Sequence, residues 1–420
     1  MPTRLHTRHG GRARAAVSVI LAFVIAGCAA ALEPPGPTGF YEISDAGIVG
    51  PPGEILKAEP YESAPGGAKA YKILYRSTGL NDEPIAVSGV VVIPEGGVPE
   101  GGRRVVAWAH PTTGVATRCA PSLMSGFFHG VKGLPEMLAL GYVVVATDYP
   151  GLGTAGTHPY LVGVSEGRAV LDSVRAARRL PQAEAGSTFA VWGHSQGGQA
   201  ALFTGQLASS YAPELKLVGV AAAAPATDLA RLLEDDINSI GGKVLTAFAL
   251  WSWNRVYGAP LAPVLDASGE PSVNAIAAEC IENTFEDVAV ALSERKINRN
   301  FLHGDVTQIE PWKTLLAQNS TGQAPPGAPV FIAQGTADTT VDPQVTAQAA
   351  KAICAKKGAV QFMWLPGATH EMAATLSAGT AVNWMGDRFE GDRTPNQCGK
   401  LPPEPKSPPK SPPKSPVPPS

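Results

Sequence analysis

From residue 71 onward the chain alternates short apolar runs with longer stretches whose apolar positions recur every three or four residues. Residues 71–76 and 85–93 are rich in β-branched side chains and read as opening strands. Residues 105–109, 142–147, 188–192 and 217–222 are almost continuously apolar, the pattern of strands covered on both faces. Between them lie helical patterns at 131–140, 165–180 and 197–209, with Val170, Leu171 and Val174 on one face of the second. Two further strands are expected at 329–334 and 360–365. Such alternation predicts an α/β fold, a mainly parallel central sheet flanked by helices. About residues 227–324 break the pattern and read as a helical cap inserted between strands. Its stripe of Val244, Leu245, Phe248, Leu250, Trp251, Trp253, Val256 and Tyr257 either lines a groove or packs the cap onto the body. The expected division is a core at 67–226 and 325–400, with the insertion at 227–324 between its two parts.

The two ends differ from this body. Arg4, Arg8, Arg12 and Arg14 precede an apolar run over residues 15–26, too short to span a membrane and suited to an export signal over 1–27. Ile25-Ala26-Gly27-Cys28 resembles a bacterial lipobox, which would acylate Cys28 and tie the protein to a membrane. In a host with two membranes, Ala29 after the cysteine favours the outer one; an ordinary cleaved signal and a soluble secreted product are the alternative. Residues 28–66 are rich in Pro and Gly and read as a lead-in with little core. Residues 401–420 repeat Lys-Ser-Pro-Pro and read as an extended, solvated tail.

Composition narrows the possibilities further. The formal net charge is −3, and with both basic ends set aside the body is about −9. An acidic body without a basic stripe argues against nucleic acid as a partner. Apart from Cys28 the cysteines are Cys119, Cys280, Cys354 and Cys398. Their wide spacing suggests no metal; in an exported chain it suggests two disulfides, with three connectivities open.

The chemistry concentrates at three loops. Gly193-His194-Ser195-Gln196-Gly197-Gly198 follows a predicted strand and opens a predicted helix. That context makes Gly-x-Ser-x-Gly a nucleophile elbow, with Ser195 on the turn and the Gln196 amide free to bind an oxyanion. A serine needs a base, and His370, just past the strand at 360–365, is the sole histidine beyond residue 303. The acid should follow the preceding strand, where Asp338 stands; its competitor Asp342, before Pro343, suits a helix start. The order Ser, Asp, His is that of the α/β-hydrolase arrangement. A second oxyanion donor should come from the loop after residues 105–109, with Thr113 or its neighbour Thr112 as candidates. Tyr149 could border the pocket, Asp148 would order its own loop, and His194 reads as structural. Trp251 and Trp253 are the pocket candidates from the insertion.

These residues resemble the fungal and bacterial secretory lipase family (LIP-type) of the α/β-hydrolase superfamily. The match runs from about Tyr71 to His370 and includes Cys119-Ala120-Pro121-Ser122, the Asp148-Tyr149-x-Gly turn, Gly-His-Ser-Gln-Gly-Gly and the helical insertion. The resemblance implies Ser195, Asp338 and His370 as nucleophile, acid and base, and an oxyanion loop at 112–114. It also implies the disulfides Cys119–Cys280 and Cys354–Cys398. Thr113 departs from relatives that carry an aspartate there. The expected activity is hydrolysis of acylglycerols or other apolar carboxylic esters, with no metal or organic cofactor. A short-chain or specialised-ester esterase is the nearest alternative. A non-catalytic envelope lipoprotein binding lipid or cell-wall polymer is the alternative of another class.

Overall fold

The structure is a computed structural model that describes residues 39–236, 239–266, 269–281, 302 and 304–403. The expected export signal, Cys28 and the Lys-Ser-Pro-Pro repeats lie outside these residues. Nine strands form one sheet: β1 (Ile55–Pro60), β2 (Lys69–Thr78), β3 (Pro84–Ile93), β4 (Arg103–Ala109), β5 (Val143–Thr147), β6 (Ala185–His194), β7 (Lys216–Ala223), β8 (Val330–Gly335) and β9 (Val360–Leu365). Their order is β1-β2-β3-β5-β4-β6-β7-β8-β9. The pairs from β1 to β5 are antiparallel, and those from β5 to β9 are parallel.

The continuous apolar runs are explained by two cores, one on each face of this sheet. Strand side chains alternate between faces with period two. Val105, Ala107, Val143, Val145, Phe189 and Val191 enter one core with α2 (Gly163–Arg179) and α3 (Gln196–Tyr211). Their neighbours Val106, Trp108, Val144, Ala190 and Trp192 enter the other, against α1 (Leu134–Ala139) and α9 (His370–Glu390). The helix expected at 131–140 is shorter than its pattern, because Gly133, at φ +82°, separates α1 from a one-turn helix at Phe127–Gly130.

Among the described residues four helices lie between β7 and β8: α4 (Leu229–Asp236), α5 (Ile240–Tyr257), α6 (Gly269–Ala277) and α7 (Trp312–Asn319). They share a third core in which Trp253 stacks on Trp312 at 6.1 Å, and Tyr160 and Val341 of the body join it. α8 (Pro343–Ala355) joins β8 to β9. Both disulfides follow the pairing that the resemblance implied, with Cα separations of 5.2 Å for Cys119–Cys280 and 5.4 Å for Cys354–Cys398.

The lead-in differs from its expectation. Residues 55–60 form edge strand β1, and the buried Tyr41 shares a hydrogen bond with Ser122 at 2.9 Å. Half-exposed positions and flanking prolines gave this strand no apolar run to betray it.

Candidate active site

The nucleophile elbow is built by close backbone approach. β6 ends at His194 and α3 begins at Gln196, leaving Ser195 as the turn residue at φ +57°, ψ −119°. A side chain at Gly197 would place Cβ 1.9 Å from the Ala109 carbonyl oxygen, and one at Gly193 would sit 2.0 Å from that of Gly197. Only glycine permits this packing, which holds the strained serine in place. The Ser195 amide donates to the Ala223 carbonyl at 3.0 Å, and its carbonyl accepts from Gln199 and Ala226.

Three separated loops meet over this turn. His370 Nε2 lies 2.8 Å from Ser195 Oγ, and His370 Nδ1 lies 2.9 Å from Asp338 Oδ2. With Nδ1–H donated to the carboxylate, Nε2 is the acceptor for the serine hydroxyl. All three residues are buried. Asp338 Oδ1 accepts the amides of Thr340 and Val341, and Oδ2 also accepts from Gln334 Nε2. Burial alone would raise this carboxyl's pKa; the His370 imidazole and the two amides outweigh it and hold the pKa below the ordinary value. Asp342, the competitor, caps α8 by accepting the Gln344 amide at 2.8 Å. His194 Nε2–H donates to the His370 carbonyl at 3.0 Å, and burial holds its pKa down to about 3, with the neighbouring imidazole adding to the effect. This neutral ring supports the backbone of His370.

An apolar cavity opens beside Ser195. Thr112, Gln196 and Thr340 surround its polar end; Leu229, Leu232, Leu245, Ala249 and Trp253 of the insertion form much of its wall. The insertion's apolar stripe thus does both things its pattern allowed: Leu245, Ala249 and Trp253 face the cavity, while Phe248 and Leu250 are buried in the third core. Two pocket candidates fall elsewhere. Trp251 lies on another face of α5, where the Arg255 guanidinium sits 4.2 Å from its ring centroid. Tyr149, at φ +67°, is fully buried between His110 and His158 and does not line the cavity. Thr112 lines the cavity and bonds the Tyr160 hydroxyl at 3.0 Å; Thr113 does not line it, and its carbonyl accepts the Ile281 amide at 2.8 Å. Gly114, at φ +125°, pairs with Cys280 next to the Cys119–Cys280 disulfide, so loop 112–119 is fastened to the insertion. As the first residue of α3, Gln196 has an amide with no acceptor within the helix. Among the described residues no cluster of three His, Cys, Asp or Glu could hold a metal ion.

A model of the secretory lipase family matches residues 132–397, well over half of the chain. The chain belongs to that family. This member is similar to secreted triacylglycerol lipase LIP7 of Malassezia globosa, at 27% identity over 83% of this chain and 78% of the relative. It is also similar to trichothecene C-3 esterase of Fusarium sporotrichioides, at 26% identity over 91% and 90% of the two chains. The solved structure of Candida antarctica lipase A shares its fold, with TM-score 0.74, 20% identity and coverage of 88% of this chain and 89% of that one. The cell-wall-degrading esterase LipA of Xanthomonas oryzae does so at TM-score 0.67 and 20% identity, over 82% and 100%. This secretory lipase family member is therefore an α/β-hydrolase and a carboxylic ester hydrolase, and membership in the family supports its export.

Buried polar groups surround the site. Asp148 accepts the Ser122 amide at 2.9 Å and hydroxyls from Ser122 and Ser88, which explains the serine in Cys-Ala-Pro-Ser. Burial pushes its carboxyl up to about 6 against the opposing hydrogen bonds of Ser122 and Ser88. Glu166 of α2 is fully buried and accepts the side-chain amide of Gln196 at 2.7 Å. A glutamate in the first turn of a helix gives no sign in sequence that its partner lies beside the nucleophile.

Proposed function

We propose that the chain cleaves acyl esters through an acyl-enzyme on Ser195. His370 takes the hydroxyl proton as Ser195 Oγ attacks the ester carbonyl, then gives it to the leaving alcohol. Asp338 holds the imidazole tautomer and stabilises the imidazolium. The tetrahedral oxyanion binds the Gln196 amide and a second amide from residues 112–113; each such donor contributes on the order of 10²–10³ in rate. Water activated by His370 then releases the acid. No step calls on a metal or organic cofactor.

The single observation that carries this reading is the continuous contact from Asp338 through His370 to Ser195, at 2.9 and 2.8 Å. The cavity supports an apolar acyl group of medium or long chain, bound against Leu232, Leu245 and Trp253 of the insertion acting as a cap. Triacylglycerol-like esters are the proposed substrate class. A specialised ester is the second reading, favoured by the relative named trichothecene C-3 esterase. Rates on p-nitrophenyl acetate, octanoate and palmitate test both. The proposal expects octanoate and palmitate to exceed acetate in kcat/KM, and expects Ser195→Ala to abolish turnover of all three. A steep fall with chain length would replace the first reading by the second, and full turnover by Ser195→Ala would end the proposal.

Acylation of Cys28 and an outer-membrane anchor belong to the same proposal. The relatives named as secreted fit the alternative, a soluble secreted product. Detergent phase partitioning of native protein and Cys28→Ser separates the two: loss of the native protein from the aqueous phase only when Cys28 is present supports the anchor.

A further inference from the structure

Behind the nucleophile lie two buried oxygens with no hydrogen-bond partner among the described residues, Glu166 Oε2 and Gln196 Oε1. They belong to side chains that already share one bond, Gln196 Nε2–H to Glu166 Oε1 at 2.7 Å. Glu166 Oε1 also accepts the Leu161 amide at 3.0 Å. The orientation of the Gln196 amide is fixed by its other neighbour. His158 Nδ1 lies 2.9 Å from the Pro150 carbonyl and must donate to it, so its Nε2 is an acceptor. Gln196 Nε2, 3.2 Å from that atom, spends its second hydrogen there. Turning the amide over would set its oxygen against a carboxylate oxygen and an imidazole lone pair. Gln196 Oε1 therefore stays where it is, and its carboxyl counterpart is Glu166 Oε2.

A planar amide and a planar carboxyl joined by one N–H···O bond can close a ring through their remaining two oxygens, provided that one of those oxygens carries a proton. If both are bare acceptors they repel, and each stays buried and unsatisfied at a cost of about 1–3 kcal/mol, more for a charged group. One proton between them removes the repulsion and satisfies both.

We propose that Glu166 stands as a neutral carboxylic acid donating its Oε2 proton to Gln196 Oε1, and that this acid–amide pair is a positioning device for the oxyanion site. The pair anchors the first residue of α3, whose backbone amide faces the developing oxyanion. It does so without a negative charge beside that oxyanion, where low dielectric would make the charge costly. The surroundings agree. Burial pushes the Glu166 pKa up to about 8, against the lowering effect of the Gln196 and Leu161 hydrogen bonds. The titratable groups facing it are neutral: His158, held down to about 3 by burial, and Tyr149, raised well above its ordinary value by burial. His110, beyond Tyr149, is held down to about 4 by burial.

The inference rests on Ser195 as nucleophile with the Gln196 amide as oxyanion donor, and its test separates the two claims. Infrared difference spectra of native protein against Glu166→Gln, with glutamate carboxyls isotopically labelled, read the proton without any turnover, and Ser195→Ala protein serves equally well. A protonated carboxyl band at pH 7 that is missing from Glu166→Gln is the expected result; an ionised carboxylate at pH 7 overturns the proposal. Turnover supplies the second readout. Native kcat should fall as pH rises through about 8, and Glu166→Gln should lack that alkaline limb. Glu166→Ala should lose about tenfold or more in kcat with KM little changed, and Glu166→Gln should recover most of that loss. An alkaline limb that survives in folded Glu166→Gln overturns the proposal, as does a Glu166→Gln no more active than Glu166→Ala. Should Glu166→Ala fail to fold, the infrared band and the pH profile of Glu166→Gln decide the matter.

Discussion

Ala249→Phe tests whether the cavity beside Ser195 holds the acyl chain. Ala249 lies on α5, one helical turn from both Leu245 and Trp253, and all three line the same cavity. A phenyl ring built from its β-carbon projects into that space, because positions four apart on a helix share a face. Each methylene that leaves water for an apolar wall contributes about 0.8 kcal/mol. With 1.4 kcal/mol per tenfold, that is about fourfold in kcat/KM per methylene. Octanoyl carries about six more methylenes than acetyl, so complete seating favours it by about 5 kcal/mol, or between 10³ and 10⁴. The added ring has about as many carbons as the acyl segment it displaces, so most of this advantage should vanish. Steady-state kinetics on p-nitrophenyl acetate and octanoate, with Tm to confirm folding, measure it. The expected outcome is an octanoate-to-acetate ratio lower by about 10²–10³, with acetate hydrolysis within about threefold of native. A folded variant with the native ratio would show that the chain binds elsewhere.

Three other perturbations probe different parts of the account. Asp338→Asn should lower kcat by on the order of 10⁴ with KM little changed, since the imidazole loses its correct tautomer; steady-state kinetics giving a loss under tenfold would deny Asp338 that role. Cys280→Ser opens a link spanning 161 residues beside loop 112–119, so stability should fall by up to about 5 kcal/mol and kcat by up to about 10². Denaturation and kinetic measurements that both match native protein would contradict this. Asp148 is raised from 3.8 to about 6 in the fold, first by burial, so its contribution to stability is full below the unfolded pKa and lost as pH climbs through about 6. The loss is on the order of 3 kcal/mol; urea titrations at pH 4 and pH 7 should show this slope in native protein and not in Asp148→Asn.

The sequence was most legible where one physical constraint dominates. Strands covered on both faces must be apolar throughout, and β4 to β8 were visible for that reason. Ser195, Asp338 and His370 could be located because each follows the end of a parallel strand. β1 was hidden because an edge strand carrying Lys57, Glu59 and Pro60 has no such run. The first half of α9 was hidden because Ala373, Ala374, Ala378 and Ala381 give its buried face a weak apolar period; the larger Val382, Trp384, Met385 and Phe389 come only later. Side-chain direction within the insertion was lost for a geometric reason. Trp251 and Trp253 are two residues apart, roughly 200° around a helix, so only one of them could face the cavity. Tyr149 deceived differently, since its positive φ turns the ring inward between two histidines. The Glu166–Gln196 pair joins residues 30 apart in sequence through a turn whose shape no local pattern specifies.

The central claim, that Ser195 is the attacking group, is tested most directly by mapping a fluorophosphonate adduct by peptide mass spectrometry, with and without a competing p-nitrophenyl ester. The account predicts one adduct on the peptide bearing Ser195, slowed by the ester and missing from Ser195→Ala. An adduct on a different residue, or equal labelling of Ser195→Ala, would contradict it.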